Sequence, residues 1–325
     1  MLYLSRKDIE DIGIDWDETI NTISDTVRVM NKGDFAQPIK PYLRYNDPKN
    51  RIIAMPAFKG GINPISGIKW IASFPDNRKQ GIDRAHAIII LNDSATGVPI
   101  SVLSAGLLSA IRTAGVSGSV IKEYVDAKEK HGTRNFSVGI TGFGPIGKTH
   151  ANMVSSILAE KLTTLYIYDS GQISDNGVSE FTKSKIDVVP SWEEAFDKSD
   201  IFITCTVSKE GYINRQPKEG SLQLNVSLRD YKPEMMRKVD MIVVDDWQEC
   251  CRENTDIENM HHKYGLEQSD TKSIIDIICN KIFDRLDPCH VAMFNPMGMA
   301  TFDIAIASYF YRLARQNNIG VELSD

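Results

Sequence analysis

The sequence predicts an α/β fold, a doubly wound parallel sheet joined to an α+β domain. Two observations carry this. From about residue 131 onward, short apolar runs of strand type recur with helical patterns between them, the alternation expected of a parallel sheet. Before residue 130 the rhythm differs: strand-like runs follow one another, separated by Gly, Pro and Asn, as in a mixed or antiparallel sheet. The 325 residues suffice for two domains. We expect one over residues 1–130, completed by a return of 300–325, and the other over 131–299.

Taken in order, "DETINTISDTVRVM" places Ile20, Ile23, Val27 and Met30 at helical spacing. "RIIAMPAF", "ISGIKWIASF" and "AHAIIILND" read as strands. "GVPISVLSA" reads as a further strand, leading into a helix through "GLLSAIRTAGVSGSVIKEYV". After "KEKHGTRN" comes "FSVGIT", a compact buried strand. The strands "TTLYIYD", "IDVV", "DIFITCTV", "LQLNVS", "DMIVVDD" and "HVAMFN" follow. The last segment, "TFDIAIASYFYRLARQNNIG", predicts an amphipathic helix with Ile304, Ala307, Tyr311 and Leu313 roughly on one face.

Composition narrows the function. With 37 basic and 43 acidic residues the formal net charge is −6, which argues against nucleic acid and anionic membranes as partners. No apolar run reaches the length of a membrane span, and "MLYLSRKDIEDIG" turns charged too early for a secretory signal. The five cysteines (205, 250, 251, 279 and 289) have neither CxxC nor Cys/His zinc spacing, so we expect reduced thiols, a cytoplasmic protein and no metal. His261 and His262 are adjacent and diverge on any regular element.

"GITGFGPIGKTHANMV" contains a GxGxxG, Gly142-Phe143-Gly144-Pro145-Ile146-Gly147, after a predicted strand and before a predicted helix. The first glycine permits the tight turn, the second admits a pyrophosphate to the backbone, and the third lets helix and strand pack closely. Pro145 suits the first helical turn. Asp169 ends the next strand, where a carboxylate hydrogen-bonds a ribose 2′-hydroxyl and repels a 2′-phosphate. This predicts NAD as cofactor. Thr204 and Thr206, in "ITCTV", end a later strand near the cofactor crevice, or are ordinary β-branched strand residues.

Positive charge gathers in "KPYLRYNDPKNRIIAMP", where Lys40, Arg44, Lys49 and Arg51 lie within a dozen residues. On a strand, Lys69 faces away from Ile68 and Trp70, either snorkelling from an edge or aimed into a polar pocket. At helical spacing Arg112 shares a stripe with Leu108, Gly115 and Ser119. An arginine there either forms an internal salt bridge or grips a carboxylate through its planar fork.

The order of cationic segment, "SGIKW", "AIRTAG", GxGxxG and "NPMGMATFD" resembles the ornithine cyclodeaminase/mu-crystallin family over nearly the whole chain. The resemblance implies a Rossmann-like NAD-binding domain, and a substrate-binding domain that also forms a homodimer. It implies a small amino-acid substrate, with Arg44, Lys69 and Arg112 on its carboxylate or beside its reacting carbon. "NRIIAMP", "ISGIKWIAS", "VVDDW" and "NPMGMA" resemble a branch of that family that oxidises a secondary amine bearing three carboxylates. Cyclodeaminases carry an essential aspartate six residues before a glutamate. Here the position six before Glu234 is Leu228, and the nearest acid is Asp230. The base is therefore Lys69 or Asp230. The alternatives are a cyclodeaminase, ketimine reductase or other amino-acid dehydrogenase of the same fold, or a dinucleotide-binding protein without turnover.

Overall fold

The computed structural model describes residues 1–171, 173 and 186–324. The chain divides into two compact units, Met1–Arg112 with Met299–Asp325, and Thr113–Gly298.

The first unit opens with β1 (Leu2–Leu4) and α1 (Arg6–Ile12), which starts in a capping box between Ser5 and Asp8. Helix α2 (Trp16–Asn31) is capped by Asp15 and buries Ile20, Ile23, Val27 and Met30, as their spacing predicts. Two short strands follow, β2 (Phe35–Ala36) and β3 (Tyr42–Leu43). An antiparallel run of β4 (Arg51–Lys59), β5 (Ile65–Ser73), β6 (Ala85–Asp93) and β7 (Pro99–Ser104) comes next. Helix α3 (Ala105–Lys130) is continuous, and the division between units falls inside it, after Arg112.

The second unit is built on β8 (Phe136–Thr141), buried at every residue. Then come α4 (Pro145–Leu158), β9 (Leu162–Tyr168), β10 (Ile186–Val188), α5 (Trp192–Lys198) and β11 (Ile201–Thr204). Strands β12 (Leu222–Leu224) and β13 (Met241–Val244) precede α6 (Trp247–Cys250) and α7 (Asp256–Tyr264). The unit ends with β14 (Lys272–Ser273), α8 (Ile274–Ile278) and β15 (Ala292–Asn295). The sheet is parallel, in the order β10-β9-β8-β11-β12-β15-β13-β14. This is the doubly wound, Rossmann-like sheet the alternation predicts. Its order reverses at β8, between β9 and β11, and ligands of such sheets bind beyond the carboxyl ends of the strands at the reversal.

The chain then returns to the first unit through α9 (Ala300–Asn317) and β16 (Val321–Glu322), giving the sheet order β16-β1-β7-β6-β5-β4-β2 with β3 on β4. The final helix departs from its expected single apolar face. Residues 300–308 are all buried, because α9 packs on β4–β6 on one side and on α1 and α2 on the other. Gly67 admits it: an added Cβ would lie 3.1 Å from Ile304 Cδ1 and 2.3 Å from the Ile90 carbonyl oxygen. The opposite sheet face carries Trp70 and Ile88, paired across β5 and β6 and 42% and 43% exposed. Beside them a cavity of about 710 Å³ is lined by Phe35, Pro56, Phe58 and Ile68. Among the described residues no helix is long and apolar enough to cross a membrane.

Candidate active site

In the second unit, each glycine of the loop after β8 has its own physical reason. Gly142 has φ +87°, and a Cβ there would lie 2.6 Å from the Cys205 carbonyl. A Cβ on Gly147 would lie 2.0 Å from the Gly142 carbonyl oxygen, so α4 approaches the turn only because that position is bare. Gly144 is the N-cap of α4, with Pro145 at the first helical position and Ile146 beyond it. A Cβ on Gly144 would meet nothing within 4 Å among the described residues. The side of this helix start toward which a Gly144 side chain would project is therefore open, and a helix N-terminus beside open space suits an anion. Asp169 lies just past β9 and accepts from the backbone N–H groups of Phe143 (2.5 Å) and Gly171 (2.8 Å). An open pyrophosphate approach with a carboxylate at the loop edge fits a dinucleotide.

Helix α4 is pinned by His150, which sequence reasoning did not single out. Its Nδ1 donates to the Ile146 carbonyl at 2.8 Å, leaving Nε2 to accept from Ser117 Oγ at 2.9 Å. Burial pulls its pKa down to about 4, so it is neutral.

The expected threonines turn inward. Thr204 is fully buried, with its hydroxyl on Ser227 Oγ (2.9 Å) and Asn225 Oδ1 (3.4 Å). Thr206 donates to Asp230, which also accepts from Ser227. Burial raises the Asp230 carboxyl to about 6, against the hydroxyls of Thr206, Thr204 and Tyr212. Beneath it, unanticipated from sequence, Asp256 accepts from Asn225 Nδ2 (2.9 Å) and from the N–H groups of Asp230 (3.0 Å) and Tyr231 (2.9 Å). Burial raises Asp256 to about 7. Leu228, where cyclodeaminases have their acid, is buried with φ +60°.

In the first unit, Lys69 is 2% exposed, on the face of β5 covered by α9. It and Arg112 meet on one carboxylate. Lys69 Nζ donates to Asp303 Oδ2 at 2.9 Å, and Arg112 Nε donates to Asp303 Oδ1 at 2.8 Å. Lys69 also donates to Ser109 Oγ at 3.3 Å. Burial pulls Lys69 down to about 8; Asp303 opposes the drop, while Arg112 and the buried Lys40 add to it. Burial pushes the Asp303 carboxyl up, but Arg112 and Lys69 together hold it below the ordinary carboxylate value. Asp303 was missed, although an acid within "TFDIAIASYF" was a visible signal: on a buried helix it requires a cation. Arg44 does not join this cluster. It is exposed and lies over the Tyr42 ring at 5.0 Å, with Arg51 over the same ring at 5.5 Å.

The chain is 35% identical to the N-((2S)-2-amino-2-carboxyethyl)-L-glutamate dehydrogenase of Staphylococcus aureus, over 100% of this chain and 98% of that protein. Among solved structures, an archaeal alanine dehydrogenase dimer with bound NAD is 25% identical, with TM-score 0.81 over 100% of this chain and 99% of that one. The Thermococcus litoralis Delta(1)-pyrroline-2-carboxylate reductase, in complex with NADH and L-proline, shares the fold with TM-score 0.87 at 24% identity, over 99% of this chain and 100% of that one. Residues 3–318, nearly the whole chain, match one family, and with the glycine loop and the buried cations already in view, the chain belongs to the ornithine cyclodeaminase/mu-crystallin family.

Proposed function

We propose that this chain is an NAD-dependent dehydrogenase acting on the CH–NH group of an amino acid. Its substrate is N-(2-amino-2-carboxyethyl)-L-glutamate, and its products are L-2,3-diaminopropionate and 2-oxoglutarate. The observation that carries this reading is the end-to-end 35% identity to the S. aureus enzyme. The buried basic residues Lys40, Lys69 and Arg112 support it, because basic side chains gathered in one unit suit a substrate with several carboxylates.

The roles follow from the side chains. The Gly142–Gly147 loop holds the pyrophosphate and Asp169 the adenosine ribose, with Thr206 beside the crevice and Thr204 supporting it. When bound, NAD accepts the hydride that leaves the glutamyl Cα. Arg112 offers a carboxylate the Nη end of its fork, its Nε being on Asp303, and Arg44 takes an outer carboxylate. The secondary ammonium must lose a proton before oxidation, and Lys69 takes it; a lysine held near 8 is suited to that task. Asp230, at about 6, is the second candidate. Water then adds to the imine carbon and the C–N bond breaks, giving the ketone of 2-oxoglutarate and the free amine of diaminopropionate.

A chain with this activity would feed siderophore or peptide-antibiotic assembly. Its five unbridged cysteines support a cytoplasmic setting, and the exposed Trp70–Ile88 sheet face supports a homodimer. The reading is tested by following NADH formation, and ammonia release for a redox-neutral cyclisation, with the glutamate–diaminopropionate adduct beside ornithine, alanine, proline and arginine. Turnover is expected with the adduct. Turnover of ornithine or proline alone would transfer the assignment to a cyclodeaminase or imine reductase, and no turnover of any amine would leave a dinucleotide-binding protein.

A further inference from the structure

Lys69 Nζ can make three hydrogen bonds, and two positions are filled within the first unit, one by Asp303 Oδ2 and one by Ser109 Oγ. Both partners sit on helices, Asp303 in the first turn of α9 and Ser109 in α3. The lysine is itself fixed in the nine-residue strand β5. A neutral amine that donates to both has a single remaining direction, and its lone pair occupies it. We propose that Asp303 and Ser109 are positioning residues for Lys69, Ser109 by direction alone and Asp303 by both direction and charge. The inference rests on Lys69 being the base. The proton leaves the substrate's secondary ammonium for Lys69 Nζ, which becomes an ammonium ion beside the Asp303 carboxylate. When the C–N bond breaks, the same proton goes to the departing amine nitrogen and the lysine is neutral again; of the two protons of the added water, one also goes to that nitrogen and one leaves to solvent.

Charge balance favours this role. The charged groups facing Lys69 are Asp303 on α9, Arg112 on α3 and Lys40 between β2 and β3. Its cross-strand neighbours, Met55 on β4 and Ile89 on β6, carry none. Asp303 is thus the one anion among these groups, and it is fully buried and shared with Arg112. Without its charge, Arg112 and Lys40 would oppose every proton that Lys69 takes up.

The test follows Lys69 directly, by the pH titration of its 13Cε resonance in the full-length protein, assigned through the peak lost in Lys69→Arg. In Asp303→Asn the amide keeps an acceptor but not the charge, and the midpoint should fall by about one pH unit or more. In Asp303→Glu the charge stays but its reach changes. The midpoint should hold, while kcat drops by roughly ten- to a hundredfold. Ser109→Ala should lower kcat without moving the midpoint. An unmoved midpoint in Asp303→Asn, or full kcat in both Asp303→Glu and Ser109→Ala, overturns the inference. The glutamate variant retains the buried ion pairs, so the question stays answerable if the asparagine variant does not fold. The rising limb of kcat/KM should follow the midpoint downward. A midpoint that moves while the limb stays put upholds Asp303's hold on Lys69 and rejects Lys69 as the base.

Discussion

Asp169 is half-buried, and its two backbone N–H partners fix its carboxylate at the rim of the glycine loop. A 2′-phosphate brought beside it would place like charges within a few ångströms, at a cost of roughly 1 to 4 kcal/mol between the limits of bulk water and protein surface. NAD should therefore be strongly preferred over NADP, and Asp169→Ser should narrow the ratio of their kcat/KM values about tenfold or more. Equal turnover with NADP in the unmodified protein would remove Asp169 from the ribose. At this scale the sequence was partly readable. Lys69 and Arg112 were visible as cations among apolar and small neighbours. Their common partner was not, because Asp303 stands 234 and 191 residues away from them, and no local pattern joins residues at that distance. Thr204 and Thr206 make a related point: strand position does not give a rotamer, and the partners of their hydroxyls, Ser227 and Asp230, lie more than twenty residues further along the chain.

The strand–loop–helix of β8 and α4 depends on two close backbone approaches, and they predict contrasting substitutions. Gly147→Ala puts a methyl 2.0 Å from a backbone oxygen that cannot rotate away. It should cost about 1–3 kcal/mol of stability, read as a lower Tm, and weaken NAD binding with it. Gly144→Ala meets open space in the protein. It should leave Tm nearly unchanged and still weaken NAD, because the methyl occupies the pyrophosphate approach. Tight NAD binding by Gly144→Ala would show that the loop holds no phosphate. Elements like this one are legible because turn, strand and helix are all written in six adjacent residues. Helix α2 is legible because one face meets the core and the other meets water. Helix α9 defeats the same reasoning: with protein on both sides, its periodicity says little about which side matters.

For the molecule as a whole, the net charge of −6 coexists with three buried cations in one unit, so a global average says nothing about the local field at the site. The remaining large-scale question is assembly. Trp70 and Ile88 adjoin a cavity lined by Pro56, Phe58 and Ile68, and apolar area of this kind on a sheet face calls for a partner. We expect light scattering to give twice the chain mass of 36.4 kDa, and Trp70→Glu with Ile88→Lys to give the monomer. A monomeric unmodified protein would reject the homodimer. The Asp303 bridge also bears on how the chain is made. Lys69 leaves the ribosome long before Asp303, 234 residues later, a delay of roughly 10 to 50 s at the usual rates of synthesis. Until α9 emerges, the first sheet has one face bare and two buried-type cations without their anion. The Thr113–Gly298 unit, contiguous in the chain, meets no such wait. Birth order and completion order are therefore reversed: the segment translated first is the last to be finished, and a nascent chain stalled before residue 300 would present that unfinished sheet to chaperones.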